Sequence, residues 1–338
     1  ANNASLPVSA DAVFFDANSG TGNSVIDIDF TINSLDCTGY TGTLTHNNTN
    51  TLTIAGNGVT FKLVSGMTYT PVGDTYITFT GTSGTTTVTT GGKVLGGTNG
   101  ELNFNGVGGT WQLGDAINTN PGGAIILTNG TFNANNFNVT IGYFSSSNVN
   151  TRTLTMGSGT WTLTSDTASI WTTSTTTGLT MTANTATIKL TGTLTAARNF
   201  VGGSLNFNGT SLWNATSGAF ALVITGSNTF NDFKIDAGRT QHFTAATTTT
   251  VTTFTAVGTA VSGITITSAT AANHTLSDST GTNAVSYCTI SRSTAQGGAT
   301  WNANDGTNTN GGNNSGWVFP AGGAVTPPQP RLLLMGVG

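Results

Sequence analysis

The sequence predicts an all-β protein: a single-chain parallel β-helix, or β-solenoid, with about 25 residues per coil, capped ends and an extended C-terminal tail. Three observations predict this class. Short apolar–polar–apolar triplets recur along the chain, Asn-Gly pairs are evenly spaced, and the composition is poor in charge but rich in Gly, Thr and Asn. Stacked coils account for all three, because a single coil cannot bury its inner face alone.

The triplets are the main fold signal. Side chains alternate across a strand, so an apolar–polar–apolar triplet is typical of a short strand with one buried face. The first residues of the five clearest triplets are 23, 29, 25 and 26 positions apart, a recurrence that we interpret as one coil. These triplets are Leu102-Asn103-Phe104, Ile125-Ile126-Leu127, Leu154-Thr155-Met156, Leu179-Thr180-Met181 and Leu205-Asn206-Phe207.

Composition narrows the function classes. Only 7% of the residues are charged, against about 25% in an average domain, and the net charge is −4. Nucleic-acid binding needs a basic face, so we expect no nucleic-acid partner. No apolar run is long enough for a membrane span. The chain starts at Ala1 without a basic and then apolar leader, so no signal peptide is predicted; a removed leader and another export route both stay open.

The chain divides into four predicted segments. Residues 1–24 form an N-terminal lead-in or cap, 25–295 the solenoid, 296–320 a C-terminal capping loop, and 321–338 a Pro-rich linker with an apolar tail. Within the solenoid, the alternation from Val25 to Ile32 predicts one strand with Asp27 and Asp29 outward.

Asn-Gly pairs favour backbone with positive φ. In a hairpin protein they link antiparallel strands, whereas in a solenoid they turn the corner between two faces of one coil. The even spacing favours corners over hairpins. The pairs are Asn57-Gly58, Asn105-Gly106, Asn129-Gly130 and Asn208-Gly209.

The two cysteines, Cys37 and Cys288, are predicted to be free and half-buried. A disulfide needs Cα atoms within about 7 Å, and a solenoid places these two positions many coils apart. Neither belongs to a CxxC or other metal-binding spacing.

The tail is the predicted partner contact. Residues Val325 to Pro330 form a Pro-rich spacer, and a final apolar peptide follows. Large apolar residues at the end of a chain need a docking site in water. Docking on the parent chain, insertion into a neighbouring subunit and disorder are all open. The predicted contact residues are Arg331, Leu332, Leu333, Leu334, Met335 and Val337.

Three groups of residues carry a resemblance. They are the N-terminal segments Ala10–Gly20 and Ser34–Leu44, the central segments Gly130–Asn135, Val139–Gly142, Ser145–Asn148 and Arg152–Trp161, and the C-terminal segments Ile290–Ser293, Gly297–Trp301 and Gly311–Phe319. They resemble a Gly/Thr/Asn-rich β-solenoid family of bacteriophage structural proteins and bacterial surface proteins. The resemblance covers most of residues 8–319 and implies a virion or extracellular setting. It carries no catalytic motif, and similar chains often have a Trp/Gly-rich segment upstream.

Carboxylates are the first candidates for site chemistry, because many β-helical tailspikes cleave glycans with paired acids. Asp27 and Asp29 project to one face, with Asp16 and Asp36 expected near them. A solvated outer face is the favoured interpretation and a Ca²⁺ site the alternative. Asp232 and Asp236 flank Lys234, with Arg239 nearby, and are expected to be surface residues rather than a catalytic pair.

Histidines and tryptophans are the remaining candidates. His46, His242 and His274 match no metal spacing and are predicted in turns or on the surface. The tryptophans are predicted in the core, with a sugar-stacking platform as the alternative; they are Trp111, Trp161, Trp171, Trp213, Trp301 and Trp317. We therefore predict no catalytic, metal or cofactor residue.

The sequence favours a non-enzymatic structural protein on a bacteriophage virion surface, as a capsid decoration or fibre component assembled through its tail. Its partners are then other virion or surface-assembly subunits, including a second copy of itself. A secreted bacterial adhesin or filament protein is the first alternative, and a glycan-binding or depolymerising tailspike is the second. All three place the protein on a virion or outside the cell.

Overall fold

The structure, a computed structural model, describes residues 6–166 and 169–320. This part of the chain contains 40 strands. All of these strands but the last pair in parallel with the strand three places before them, three places after them, or both, so every third strand belongs to the same face; the last strand pairs two places back instead. The fold is a three-faced parallel β-helix, which confirms the predicted class. The described residues contain no helix that is long and apolar enough to cross a membrane.

The first face is one sheet of 13 strands that runs the length of the described chain. Its strands are β3 (Phe30–Ile32), β6 (Thr51–Ile54), β9 (Tyr76–Phe79), β12 (Glu101–Phe104), β15 (Ala124–Leu127), β18 (Tyr143–Ser145), β21 (Ser169–Thr172), β24 (Arg198–Val201), β27 (Ala221–Thr225), β30 (Thr240–Phe243), β33 (Ile264–Ser268), β36 (Cys288–Ile290) and β39 (Thr309–Asn310).

The second face has a sheet of three strands followed by a sheet of 11. The three are β2 (Asn23–Ile26), β5 (Thr43–His46) and β8 (Thr68–Pro71). The others are β11 (Val94–Leu95), β14 (Ile117–Thr119), β17 (Val139–Ile141), β20 (Thr160–Leu163), β23 (Thr187–Leu190), β26 (Ser211–Asn214), β29 (Asp232–Ile235), β32 (Thr253–Val257), β35 (Thr282–Ser286), β38 (Thr300–Asn302) and β40 (Trp317–Val318).

The third face has a sheet of eight strands followed by a sheet of five. The eight are β1 (Ala12–Phe14), β4 (Ser34–Asp36), β7 (Thr60–Lys62), β10 (Thr85–Thr89), β13 (Thr110–Leu113), β16 (Gly130–Asn133), β19 (Arg152–Thr155) and β22 (Leu179–Thr182). The five are β25 (Asn206–Phe207), β28 (Thr229–Phe230), β31 (Thr248–Thr250), β34 (His274–Ser277) and β37 (Ser293–Gln296).

Coil length varies more than the triplet spacing predicted. Twelve turns separate Phe30 in β3 from Thr309 in β39, 279 residues later, an average of about 23 residues per turn. Single turns range from 16 residues between Trp301 and Trp317 to 30 between Ser169 and Asn199, where the register shifts by one residue.

The recurrence of triplets also mixes two faces. Ile125 lies in β15 of the first face, whereas Leu154 lies in β19 of the third. Their spacing of 29 residues therefore covers one turn plus the step from the first face to the third, and it overstates the length of a coil at this point. Triplets on every face bury the same two positions, so the sequence pattern does not distinguish one face from another.

The core is a continuous column of aromatic rings along the axis. Neighbouring rings are 4.4–6.5 Å apart between centroids, in stacked, tilted or edge-on geometry. The column joins coil to coil through Phe61, Phe79, Phe104, Phe132, Trp161, Trp171, Phe200, Phe207, Phe230, Phe233, Phe254, Trp301 and Trp317.

The ends differ from the predicted segments. The expected single strand from Val25 to Ile32 is broken: β2 ends at Ile26 and β3 begins at Phe30, because the chain turns a corner between two faces there. β1, inside the expected lead-in, already pairs with β4. The expected capping loop 296–320 contains β38, β39 and β40, which extend the sheets by another coil.

Three of the four predicted Asn-Gly corners have positive φ at glycine, and Gly58 is an example with φ of 61°. Gly106 is the exception. A Cβ atom there would overlap the carbonyl oxygen of Gly81 in the preceding coil. That glycine is required by close stacking of two corners rather than by left-handed backbone.

Candidate functional site

An apolar pocket opens at the N-terminal end of the β-helix. It is a cavity of about 170 Å³ between the lead-in and the first coils, and its lining includes Leu6, Val13, Phe15, Ile26 and Ile28. The inward side chains of the first coil form its floor, because no earlier coil among the described residues covers them.

The floor of this pocket is held in place by Tyr40. The Phe15 ring packs on the buried Tyr40 ring at 5.0 Å between centroids. The Tyr40 hydroxyl lies 3.0 Å from the carbonyl oxygens of both Gly22 and Thr43. The Tyr40 ring, fixed by its hydroxyl, therefore supports the Phe15 ring, which lines the pocket.

The surface around the pocket is apolar as well. Phe14 is 66% exposed and Leu6 63%, and Val8, Val25 and Ile28 are also exposed. Strands β1, β2 and β3 are the outermost described strands of their sheets, so one edge of each has no neighbouring strand. An apolar end with open strand edges is typical of a surface that another segment covers.

The four carboxylates that were expected near one another do not form one site. Three of them accept hydrogen bonds in separate turns, and the fourth lies at the pocket rim. Asp16 accepts a hydrogen bond from the backbone N–H of Asn18 at 2.9 Å, and the bonds from Asn18 and Ser19 lower the pKa of Asp16. Asp36 accepts from Thr38 at 2.9 Å and Asp29 from Thr51 at 2.7 Å. Asp27 lies at the rim of the pocket. In residues 6–166 and 169–320, no group of three or more His, Cys, Asp or Glu side chains could hold a metal ion.

Trp213 is the surface tryptophan, and a lysine from each neighbouring coil packs on it. The register aligns Lys189, Trp213 and Lys234 in one outward column of β23, β26 and β29. The two ammonium nitrogens lie 3.9 Å and 4.0 Å from the indole centroid. A sugar that stacked on this ring would have to displace a lysine. The other five tryptophans are buried, as predicted for core residues.

The pair Asp232 and Asp236 belongs to the same surface cluster. Asp236 accepts the indole N–H of Trp213 at 2.8 Å and forms an ion pair with Lys234 at 3.7 Å. Asp232 accepts the Ser211 hydroxyl at 3.0 Å. Arg239 was expected as a partner of these acids, but it donates to the carbonyl oxygens of Ala237 and Thr216 instead.

A polar groove of about 700 Å³ crosses the corner between the second and first faces. The corner between β17 and β18 is only one residue long, Gly142, whereas the corners of the flanking coils are longer and stand out on both sides of it. Amides and hydroxyls line the groove, and its single carboxylate is Asp166, which accepts the Thr195 hydroxyl.

The prediction that the histidines lie in turns or on the surface is wrong for His46 and His274. Both are fully buried, because each occupies an inward position of its strand, two residues from the buried Leu44 and Leu276 respectively. His46 lies 2.9 Å from the Tyr69 hydroxyl and 2.9 Å from the Asn50 carbonyl oxygen. Burial lowers its pKa. His242 lies on an outward position of β30.

His274 is a buried titratable group, and neither of its ring nitrogens has a hydrogen-bond partner among the residues that the structure describes. Its ring stacks on Phe243 at 4.7 Å between centroids. Burial, with a smaller contribution from His242, lowers its pKa from 6.5 to about 4. The imidazole is therefore neutral at neutral pH and packs like an aromatic ring.

Acid should destabilise the protein through His274. The unfolded chain takes up the proton near pH 6.5 and the folded chain only near pH 4, so stability is full above pH 6.5 and falls as the pH drops towards 4. The expected loss is about 3 kcal/mol at about 1.4 kcal/mol per pKa unit. The His274→Phe variant should remove this fall and raise stability at pH 5, measured by urea unfolding at several pH values.

The His242→Gln variant is the control for this experiment. It removes the smaller contribution of His242 to the pKa of His274 and the titration of His242 itself, whose pKa burial also lowers, and it should keep most of the pH dependence. Equal pH dependence in the wild type and in His274→Phe would contradict the assignment to His274.

The two thiols are free, as predicted, but fully rather than half buried. Burial raises the pKa of Cys37 and of Cys288 to about 12. Both thiols are thus kept protonated and belong to the core.

The predicted partner-contact residues Arg331, Leu332, Leu333, Leu334, Met335 and Val337 lie outside the described residues. Sequence reasoning missed the N-terminal pocket and the exposure of Trp213. Two signals were present. Val25 departs from the two-residue alternation, because it falls in the outward set with Asp27 and Asp29. Trp213 directly follows Leu212, so only one of the two can face inward.

Comparison of the chain with protein-family models, with curated proteins and with solved structures gave no match.

Proposed function

We propose that the protein is a non-enzymatic structural subunit on the surface of a bacteriophage virion, as a capsid decoration or fibre component, and that it assembles through its C-terminal tail. The observation that carries this proposal is the concentration of exposed apolar side chains at one end. Leu6, Val8, Phe14, Val25 and Ile28 all lie within residues 6–28. An end of this kind fits a subunit whose neighbour covers it.

The remainder of the molecule is a stiff rod with a polar surface, which fits a subunit that holds two partners at a fixed distance. Coils stacked about 4.8 Å apart make a rod of about 58 Å over twelve turns. The aromatic column stiffens it from within, and the outward positions carry mainly Thr, Ser and Asn. The virion setting itself rests on the resemblance of the sequence to phage structural proteins.

Cavity chemistry favours a structural role over glycan cleavage. Hydrolysis of a glycosidic bond normally uses two carboxyl groups on either side of the bond. In the part of the chain that the structure describes, the N-terminal pocket contains one carboxylate, Asp27, and the polar groove contains one, Asp166. Two further surface cavities, one beside Trp213 and one beside Val285, also contain one each, Asp232 and Asp305.

Deletion of residues 325–338 tests the assembly role. We expect the truncated chain to keep its β-helix, seen as an unchanged circular dichroism spectrum and melting temperature. We expect it to lose incorporation into particles, seen by electron microscopy and sedimentation. Full assembly of the truncated chain would rule out the proposal.

A further inference from the structure

We propose that the N-terminal pocket is the acceptor for the apolar tail of a second copy of this chain, so that subunits join end to end. This inference rests on the proposed function, because it names the partner site of the same tail. Four features of the molecule support it: the pocket, the charge around it, the sequence of the tail and the length of the rod.

The size and lining of the pocket fit an apolar side chain. A dry cavity of about 150 Å³ accepts a molecule as large as benzene, and this pocket has about 170 Å³. The pocket has far more apolar than polar lining, with Asp27 at its rim. The tail offers Leu332, Leu333, Leu334 and Met335 in succession.

Charge at this end complements the tail. Asp11, Asp16, Asp27, Asp29 and Asp36 are the charged residues of the first 61 positions, since the first lysine is Lys62. The tail peptide begins with Arg331, directly before its leucines. If the leucines enter the pocket, the guanidinium group reaches the acidic rim, where Asp27 is available as a partner.

The length of the rod excludes the tail of the same chain. Pro320 follows the last strand, at the opposite end from the pocket, so about 58 Å of stacked coils lie between them. Leu332 is twelve residues beyond Pro320, and an extended chain of that length spans at most about 43 Å. The tail can therefore reach the pocket of another copy but not its own.

A contact between a tail and the opposite end of a neighbour is heterologous. Such contacts repeat without closing unless the rotation between subunits forms a ring. The expected product is a row of rods rather than a two-fold dimer. The open edges of β1, β2 and β3 would then face the neighbour instead of water.

Two variants of the full chain test the proposal by complementation. Ile28→Glu puts a charge into the rim of the pocket at a residue that is 40% exposed and lies between strands, so the fold should be retained. Leu333→Glu puts a charge into the tail. Each variant alone should stay monomeric in analytical ultracentrifugation. An equimolar mixture should form a 1:1 dimer, because the intact tail of Ile28→Glu enters the intact pocket of Leu333→Glu.

Val107→Glu is the matched control, since Val107 is 69% exposed on the corner after β12, three turns from β3 and outside the pocket lining. It should assemble like the wild type. A fluorescent peptide of residues 328–338 should bind Leu333→Glu at least tenfold more tightly than it binds a chain that carries both substitutions.

The outcomes separate this inference from the proposed function. If Leu333→Glu abolishes assembly while Ile28→Glu assembles normally, the tail uses another acceptor and the inference is wrong, although the assembly role stands. The inference is also wrong, and the assembly role also stands, if the equimolar mixture stays monomeric. The conclusion is the same if another segment covers the pocket, so that the pocket binds no peptide. If both variants assemble fully, the inference and the assembly role fail together.

Discussion

The Trp171→Ala variant should lose about 3–5 kcal/mol of unfolding free energy, the range for removing a large aromatic side chain from a core. Trp171 is fully buried. Its ring contacts four others, those of Phe144, Trp161, Phe200 and Phe207, at 4.4–6.0 Å between centroids. The cavity would interrupt the aromatic column in mid-rod, and each coil is stabilised only by its neighbours.

Urea unfolding followed by circular dichroism measures this effect. Trp213→Ala is the matched control, because it removes the same side chain from the surface, where the ring packs between Lys189 and Lys234 and donates to Asp236. It should cost about 1 kcal/mol or less. Equal losses in the two variants would show that the aromatic column does not stabilise the rod.

The Arg152→Leu variant should lose a similar amount, about 3–5 kcal/mol, for an electrostatic reason. Arg152 begins β19 and points inward, with 1% of its surface exposed. Its guanidinium group donates to the hydroxyl and carbonyl oxygens of Ser146 and to the carbonyl oxygens of Asn150, Thr175 and Thr177. One side chain thus satisfies the corners of two adjacent coils, and leucine would leave these acceptors buried without donors.

Arg239→Leu is the control for Arg152, since Arg239 donates to two carbonyl oxygens from a partly buried position. It should cost about 1 kcal/mol. Hydrogen exchange should show the Arg152→Leu damage concentrated in residues 146–152 and 173–179. An unchanged melting temperature for Arg152→Leu would mean that water satisfies these carbonyl groups.

Much of the β-helix was predictable because its inner positions repeat every second residue. Leu102 and Phe104, like Ile125 and Leu127, are buried as the triplets indicated. The face to which a triplet belongs was not predictable, since all three faces bury the same pattern. The length of each coil was not predictable from the triplets either. A corner can be as short as one residue, as at Gly142, while the strands on either side keep the same pattern.

The sites were less predictable than the fold. His274 and Arg152 occupy inward positions that the alternation alone assigns to apolar residues, and only their packing shows how a polar group is accommodated there. The N-terminal pocket depends on which coil comes first, a property of the stack rather than of any local pattern.

The pairing of nearly every strand with the third strand before it has a consequence for how the chain reaches this structure. Partners are about 23 residues apart from the first coil to the last. For a chain of 338 residues this is a relative contact order of about 0.07. Helical bundles have such values, whereas most all-β folds close far longer loops. Each new coil can therefore pair with the preceding coil while the remainder of the chain is still being synthesised. A longer rod requires more coils but no folding step with a longer loop to close.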